Sequence, residues 1–134
     1  MRMQLHRRDK PMRSESPLEF LQALKKVLGQ RENWTKHVVA RDKEHNRLMI
    51  ATDPAACCWC LTGAVLVVTR SGKFTSKAGV EARNFLVDAM ATLHNQYVAL
   101  SVFNDRAETT YSDIRNLINI ASGMAHKNVK ADSR

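Results

Sequence analysis

The chain has 134 residues and a formal net charge of +8, with 25% charged and only 6% aromatic residues. This length suits one domain with a hydrophobic core and excludes two ordinary ones. No long apolar run follows the first residues, so a secretory signal peptide is excluded. The longest largely apolar stretch, 55–68, is shorter than the roughly twenty residues of a membrane-spanning helix. Three cysteines, an odd number without a second cluster, indicate a reduced cytoplasmic protein.

Basic residues are concentrated towards both ends of the chain. Residues 1–16 contain five basic and two acidic side chains, and 127–134 contain three basic and one acidic. The region between them, 17–126, is nearly balanced, with thirteen basic and ten acidic side chains. We therefore predict a single globular domain over 17–126, flanked by basic flexible tails. Such tails favour polyanions through non-specific electrostatics, or they are simply solubilising ends.

The first predicted helix covers 17–28, where leucines recur at helical spacing. Ser16 is expected to cap its N-terminus, with Glu19 three residues on to close a capping box. Gly29 is expected to end the helix in a left-handed conformation. These signals define one amphipathic helix with a broad apolar face.

A β-hairpin is predicted next. Two short apolar runs, 38–40 and 48–50, flank the charged turn 43–46. A short hairpin is not stable alone in water, so we expect it to pack against helices.

A central helix is predicted over 53–70. Asp53 is expected to cap it, Pro54 to occupy its first position and Gly72 to end it. Its residues are apolar on nearly every side, which predicts a helix buried at the centre of the fold. Gly63 within it lowers helix stability by about 1 kcal/mol relative to alanine. Its presence predicts the close approach of a neighbouring backbone.

The remaining elements complete a helical architecture. A third helix is predicted over 77–96, followed by an extended apolar piece at 98–103 and a turn at 104–106. Thr110 is expected to cap the last helix, with Asp113 three residues on. The fold class is therefore mainly α (α+β), with about four helices around a buried central helix and a small β-hairpin.

The three cysteines within 57–60 permit three interpretations. Their spacing includes CxxC, but a structural zinc site needs four ligands and no second pair completes one. We therefore predict no metal and no cofactor, and expect the cysteines to pack as small apolar residues. A catalytic thiol is the remaining alternative. It would be Cys57 or Cys58, near the expected helix start, with His37 or His94 as its base and Asp105 orienting that base.

A basic surface is the stronger candidate for function. The segment 25–47 contains seven basic and three acidic residues, with Trp34 and His37 interleaved, an arrangement typical of nucleic-acid binding. The alternative is a solvated face with Trp34 in the core. The residues expected to contact nucleic acid or an acidic protein are Arg7, Arg8, Arg13, Lys25, Lys26, Arg31, Trp34, Lys36, Arg41, Lys43 and Arg47.

A polar cluster precedes the last predicted helix and consists of Asn104, Asp105 and Thr109, with Thr110 beside them. Asparagine and aspartate in turns commonly hydrogen-bond the backbone, so these residues are expected to fix the entry into the helix. A ligand-facing polar loop is the functional alternative.

Several short motifs occur together, at Trp34, 53–55, 60–65, 103–105 and Thr109–Thr110. This combination resembles a family of small uncharacterised proteins from bacteria and phages. That family carries a C-x-x-G-A-(L/I/V) helix and a (W/F)-N-D turn with a threonine before the last helix. The aromatic residue of the turn is phenylalanine here and more often tryptophan in the family. The resemblance implies a shared fold and a bacterial or phage origin, and it implies no catalytic residue.

The sequence thus predicts a non-enzymatic binding or accessory protein in the cytoplasm of a bacterium. Its expected partner is an acidic protein or a nucleic acid, engaged through basic tails and a basic surface, without a membrane. One alternative is a structural subunit of a larger assembly, such as a virion or a ribonucleoprotein. A second alternative is a small hydrolase-like enzyme that uses Asn104 and Asp105.

Overall fold

A computed structural model describes residues 12–95 and 97–132 of the chain. These residues form five α-helices and a small antiparallel sheet in which β1 lies between β2 and β3. The predicted mainly α (α+β) class is confirmed. The elements in chain order are α1 (Pro17–Val27), a 3₁₀ turn (Arg31–Asn33), β1 (Ala40–Arg41), β2 (Arg47–Leu48), β3 (Cys58–Trp59), α2 (Leu61–Arg70), α3 (Ser76–His94), α4 (Leu100–Asp105) and α5 (Tyr111–Asp132).

The hydrophobic core lies between the helices. The three longest, α1, α3 and α5, contact one another, while α2 contacts α1, α3 and α4. Half of the residues of α2 are buried, all of them between Leu61 and Val68, and they contribute to the core as the apolar sequence of the central helix predicts. Burial of one such leucine side chain contributes roughly 1.5–3 kcal/mol. No helix among the described residues is long and apolar enough to cross a bilayer.

Helix α1 begins as predicted, because the Ser16 hydroxyl accepts a hydrogen bond from the Glu19 main-chain N–H at 3.1 Å. Two details of the expected ends are wrong. The Glu19 carboxylate accepts from the Ser14 hydroxyl at 2.9 Å, while the Ser16 N–H donates to that same hydroxyl. Leu28, which is buried, is the C-terminal cap, and Gly29 is not left-handed. Burial of Leu28 directs the chain out of the helix without a positive φ.

The hairpin is confirmed, with Ala40 opposite Leu48. Its turn contains no glycine because the Asp42 carboxylate organises it, accepting from the main-chain N–H groups of Asn46 and Glu44. The Asn46 N–H in particular lowers the pKa of Asp42 below its ordinary value of 3.8, against a smaller opposing effect of burial. His45 takes the left-handed conformation, with φ 65°, that glycine would otherwise supply.

The expected start of the central helix at Asp53 is wrong, because α2 begins at Leu61. Asp53 instead closes a turn in which its carboxylate accepts from the Ala55 N–H at 2.8 Å. The next residues form β3, which pairs with the free edge of β1 and places Trp59 opposite Ala40. Strand pairing and the burial of Cys58 favour an extended chain here over a longer helix.

Gly63 confirms the expected close approach of a neighbouring backbone. A Cβ atom at this position would lie 2.0 Å from the carbonyl oxygen of Val39. Only glycine lets α2 pack this tightly against the residue that precedes β1. The glycine therefore joins the helical core to the sheet.

The C-terminal half agrees with the sequence in its two long helices. Thr75 caps α3, and Thr110 forms the expected capping box with Asp113, whose carboxylate accepts from the Thr110 N–H at 2.8 Å. The expected extended piece at 98–103 is wrong, since Leu100–Asp105 is helical. The short helix buries Phe103 and Asn104 on its inner side, and this burial decides its conformation.

The two predicted tails are only partly described. Residues 1–11 lie outside the described part of the chain. Ser14, within the expected N-terminal tail, pairs in parallel with Phe74 and donates its N–H to the Lys73 carbonyl at 2.8 Å. The expected C-terminal tail, 127–134, begins within α5, whose backbone is helical to Asp132.

Candidate functional site

Asn104 is the centre of the polar cluster predicted near the last helix. It is fully buried in the last turn of α4, not in a turn between elements as expected. Its Oδ1 accepts from the Trp34 indole N–H at 2.7 Å and from the Leu61 main-chain N–H at 3.0 Å. Its Nδ2 donates to the Thr35 carbonyl at 3.1 Å and to Asp105 Oδ1 at 2.9 Å. Asn104 thereby uses its full hydrogen-bonding capacity.

Asp105 continues this network on the outer side. Its Oδ1 accepts from the His37 main-chain N–H at 2.8 Å, and its Oδ2 lies 3.9 Å from His37 Nδ1. His37 has φ 70°, a backbone conformation that residues other than glycine rarely adopt. The hydrogen bond from its N–H to Asp105 stabilises this conformation. We call this cluster the polar junction, defined as Trp34, Thr35, His37, Asn104, Asp105 and the Leu61 N–H.

The polar junction joins three distant chain segments at the N-terminus of α2. The Leu61 N–H lies at the start of α2 and has no acceptor within that helix. Asn104, on another helix, accepts its hydrogen bond. The Cys60 sulfur accepts from the Gly63 N–H at 3.2 Å and serves as the local cap. Thr109, nearby in sequence, is buried, and its hydroxyl donates to the Phe103 carbonyl at 2.7 Å. These contacts fit the structural interpretation of the predicted polar residues.

Of the three cysteines, Cys58 and Cys60 are buried, while Cys57 is half-buried with its Sγ 3.6 Å from the Arg41 carbonyl oxygen. Burial raises the pKa of Cys60 above 9.0, although the Gly63 N–H opposes the shift. Burial also raises the pKa of Cys58, and the adjacent Cys57 thiol adds to this effect. Raised values disfavour the nucleophilic thiolate. Within 12–95 and 97–132, no group of three or more His, Cys, Asp or Glu side chains could hold a metal ion.

The two histidines considered as bases occupy different environments. His37 is more than half exposed and faces Asp105. His94 packs against Phe103, with 4.9 Å between ring centres, and its buried Nε2 has no hydrogen-bond partner among the described residues. Asp105 thus lies beside His37, but it accepts a hydrogen bond from the His37 main chain, and the 3.9 Å between its Oδ2 and Nδ1 is too long for a hydrogen bond to the ring. The Cys60 thiol near this pair is buried and bonded to the α2 backbone.

A groove with a volume of about 850 Å³ lies between α1, the loop after α2 and the start of α5. Four cationic side chains line it and one carboxylate, Glu19, opposes them. All four cations are exposed, and none forms an ion pair within the described part of the chain. We call this surface the basic groove, defined by Lys25, Lys26, Lys73 and Arg115 above a floor of Ala23, Leu28 and Tyr111.

The structure divides the predicted basic residues among several surfaces. Lys25 and Lys26 line the basic groove, whereas Arg13 lines a second cleft beside Arg83. Lys43 lies in a third cleft, between two acidic neighbours. The exposed Arg31 and Arg47 line none of these three clefts, and Arg7 and Arg8 lie outside the described residues.

Three other predicted binding residues make contacts within the fold. Trp34 is half-buried against the core and bonded to Asn104, so its indole N–H is not free for a ligand. Lys36 Nζ lies 5.5 Å from the centre of the Trp34 ring and donates to the Arg106 carbonyl. The Arg41 guanidinium donates to the Thr35 hydroxyl at 2.9 Å. These contacts stabilise the loop that carries Trp34.

Sequence reasoning missed Lys73 and Arg115 as members of a basic surface. Arg115 lies four residues after Tyr111, off the apolar face of α5, so its exposure was predictable from helical spacing. Its proximity to Lys25 was not predictable, because no short-range sequence signal indicates that the start of α5 packs beside the end of α1. Lys73 precedes α3 in a loop and carries no signal beyond its charge.

Comparison with known proteins gives a family but no activity. Searches of the curated proteins and of the solved structures found no match. One family model, described as a family of unknown function, matches residues 12–123, which include every helix described above except the end of α5. This agrees with the expected membership of an uncharacterised family. The chain belongs to that family, DUF6197.

Proposed function

We propose that this protein is a non-enzymatic binding protein that engages an anionic partner through its basic surfaces. One observation carries the proposal, namely the four exposed cationic side chains of the basic groove, which form no ion pair among the described residues. Cations left without carboxylate partners attract anions and raise association rates.

The polar junction supports the same proposal because its contacts argue against the enzymatic alternative. An enzyme that used Asn104 would need at least one of its polar atoms free for substrate, yet all of them bond protein groups. Asp105 holds the His37 backbone, and burial disfavours ionisation of Cys58 and Cys60. We therefore favour binding over the hydrolase-like alternative.

The proposal extends to source and location. The motif combination around Trp34, Gly63 and Asn104 supports a bacterial or phage origin, and the unpaired cysteines support a reducing cytoplasm. An accessory role in a bacterial or phage-infected cell follows by analogy.

Salt-dependent binding tests the proposal on the full chain. Fluorescence anisotropy would follow three labelled probes, namely an acidic peptide, an oligothymidylate strand and duplex DNA, between about 50 and 200 mM salt. We expect binding of at least one probe that weakens as salt rises. Absence of binding by all three at low salt would contradict the proposed function.

A further inference from the structure

We infer that the basic groove is the docking site for an acidic segment of a partner protein that also carries apolar side chains. This inference rests on the proposed function and specifies its site and its partner. The supporting observations are the convergence of charge, the apolar floor and the absence of an exposed aromatic ring in the groove.

The charge of the groove comes from three separate elements. Lys25 and Lys26 lie in the last turn of α1, where cations are favoured by the helix dipole in any protein. That explanation does not apply to Lys73, in the loop after α2, or to Arg115, one turn into α5. Their convergence with the lysines creates a local field that a single helix end would not produce.

The floor of the groove is apolar and rigid. Leu28 and Tyr111 are buried, and the Tyr111 hydroxyl donates to the Leu28 carbonyl at 2.5 Å, which ties α5 to the end of α1. Ala23 contributes a small half-buried side chain to the same surface. Because Leu28 and Tyr111 are almost fully covered, the accessible apolar surface is Ala23 and the methylene groups of the surrounding lysines. Apolar residues between the carboxylates of a partner would pack against these groups while its charges meet the cations.

Nucleic acid fits this groove less well than a peptide. Single strands bind by stacking bases on exposed aromatic rings, but Tyr111 is only 8% exposed and no other aromatic residue lines the groove. The Glu19 carboxylate at one side of the groove would also repel a continuous phosphate backbone. A peptide can place an uncharged residue opposite Glu19, whereas a nucleic-acid strand carries a charge at every nucleotide.

A matched pair of double variants tests the inference in the full chain. Lys25→Glu with Arg115→Glu reverses two charges in the groove, while Lys77→Glu with Arg83→Glu reverses two exposed charges on α3, outside it. Both variants have the same net charge. The probe is a fluorescein-labelled peptide of alternating glutamate and leucine, measured by anisotropy. Circular dichroism establishes that both variants are folded.

We expect the groove variant to bind the peptide at least about tenfold more weakly, because each reversal replaces an attraction by a repulsion. The α3 variant should show a smaller loss of peptide affinity, caused only by its lower net charge. A peptide in which serine replaces leucine should bind the unaltered protein more weakly, since it cannot use the apolar floor.

Three outcomes would overturn the inference. Equal losses in the two variants would remove the groove as the site and leave general anion binding intact. Tighter binding of oligothymidylate than of the peptide, lost in the groove variant, would assign the groove to nucleic acid. No peptide binding by the unaltered protein would remove the acidic segment as partner. The proposed function itself fails only if none of the anionic probes binds.

Discussion

Asn104 at the polar junction is fully buried and makes four hydrogen bonds within the protein, whereas Arg115 in the basic groove is exposed and forms no ion pair among the described residues. Both regions are rich in polar side chains. Those of the polar junction belong to a sequence motif, whereas those of the basic groove share a positive charge. The contrast teaches that a polar residue embedded in a motif often serves the fold. Side chains that the fold leaves unpaired are better indicators of binding.

The largest expected effect comes from breaking the packing beside the polar junction. Gly63→Ala would place a methyl group 2.0 Å from the Val39 carbonyl oxygen, a backbone atom that cannot move aside cheaply. We expect the free energy of unfolding to fall by about 4 kcal/mol. Urea denaturation measures this change.

Gly123→Ala is its matched control. Gly123 is also helical, and nothing lies within 4 Å of an added Cβ there. This substitution should raise the free energy of unfolding by up to about 1 kcal/mol through helix propensity. Equal effects of the two substitutions would contradict the close approach at Gly63.

Removing the centre of the polar junction ranks second. Asn104→Ala leaves the Trp34 indole N–H and the Leu61 N–H without their acceptor, and it opens a small cavity. We expect a loss of about 3 kcal/mol in the free energy of unfolding. Asn84→Ala, at an exposed position on α3, should change it by less than about 0.5 kcal/mol. A loss that small for Asn104→Ala would refute its central role.

Trp34→Phe removes one donor and replaces the indole by a smaller aromatic ring. We expect a cost of about 1–2 kcal/mol, because the Leu61 N–H still bonds Asn104 Oδ1. In the Asn104→Ala background the same substitution should cost less, since its bond is already lost. Strict additivity in this double-mutant cycle would argue against the 2.7 Å contact between Trp34 and Asn104.

A pH-dependent effect follows from the buried thiols. The folded state holds the Cys60 proton more tightly than the unfolded state, because burial raises its pKa above 9.0. The stabilisation is therefore complete below that value and is lost as pH rises through the higher folded pKa. Denaturation at about pH 8 and about pH 10 should show a decline that is smaller in Cys60→Ser. If the free energy of unfolding falls equally in Cys60→Ser and in the unaltered protein, titratable groups other than Cys60 cause the decline.

The smallest effect on stability should come from the basic groove. Lys25→Glu combined with Arg115→Glu removes no ion pair found within 12–95 and 97–132. We expect the free energy of unfolding to fall by no more than about 1 kcal/mol, mainly because a carboxylate at position 25 opposes the dipole of α1, as measured by thermal unfolding. A large destabilisation would show that these side chains support the fold, which would erase the contrast with the polar junction.

Local signals in the sequence were sufficient for several elements. Ser16 and Thr110 act as caps within three residues of their partners, and the turn of the hairpin is closed by Asp42 over four residues. Gly63 in an apolar helix correctly indicated a close backbone. The caps and the turn depend on neighbours in the chain, so a single sequence contains them. Gly63 indicates that a backbone comes close, but the sequence does not show that this backbone is that of Val39.

The failures share a different physical cause. The strand that contains Trp59 exists because β1 offers a free edge, and the short helix that ends at Asp105 exists because Asn104 is drawn into the interior. Lys73 and Arg115 meet Lys25 only after α1, α3 and α5 have packed. Each depends on residues far away in the chain, which composition and periodicity do not reveal.

The sequence separations across the polar junction have a consequence for how the protein folds. Asn104 bonds partners 43 and 70 residues away, at Leu61 and Trp34. Closing loops of this length costs entropy that must be recovered from contacts formed at the same time. The junction should therefore close after the long helices have associated. Once closed, the buried Leu61 amide should exchange with solvent only through global unfolding, which makes this proton a reporter of the whole fold.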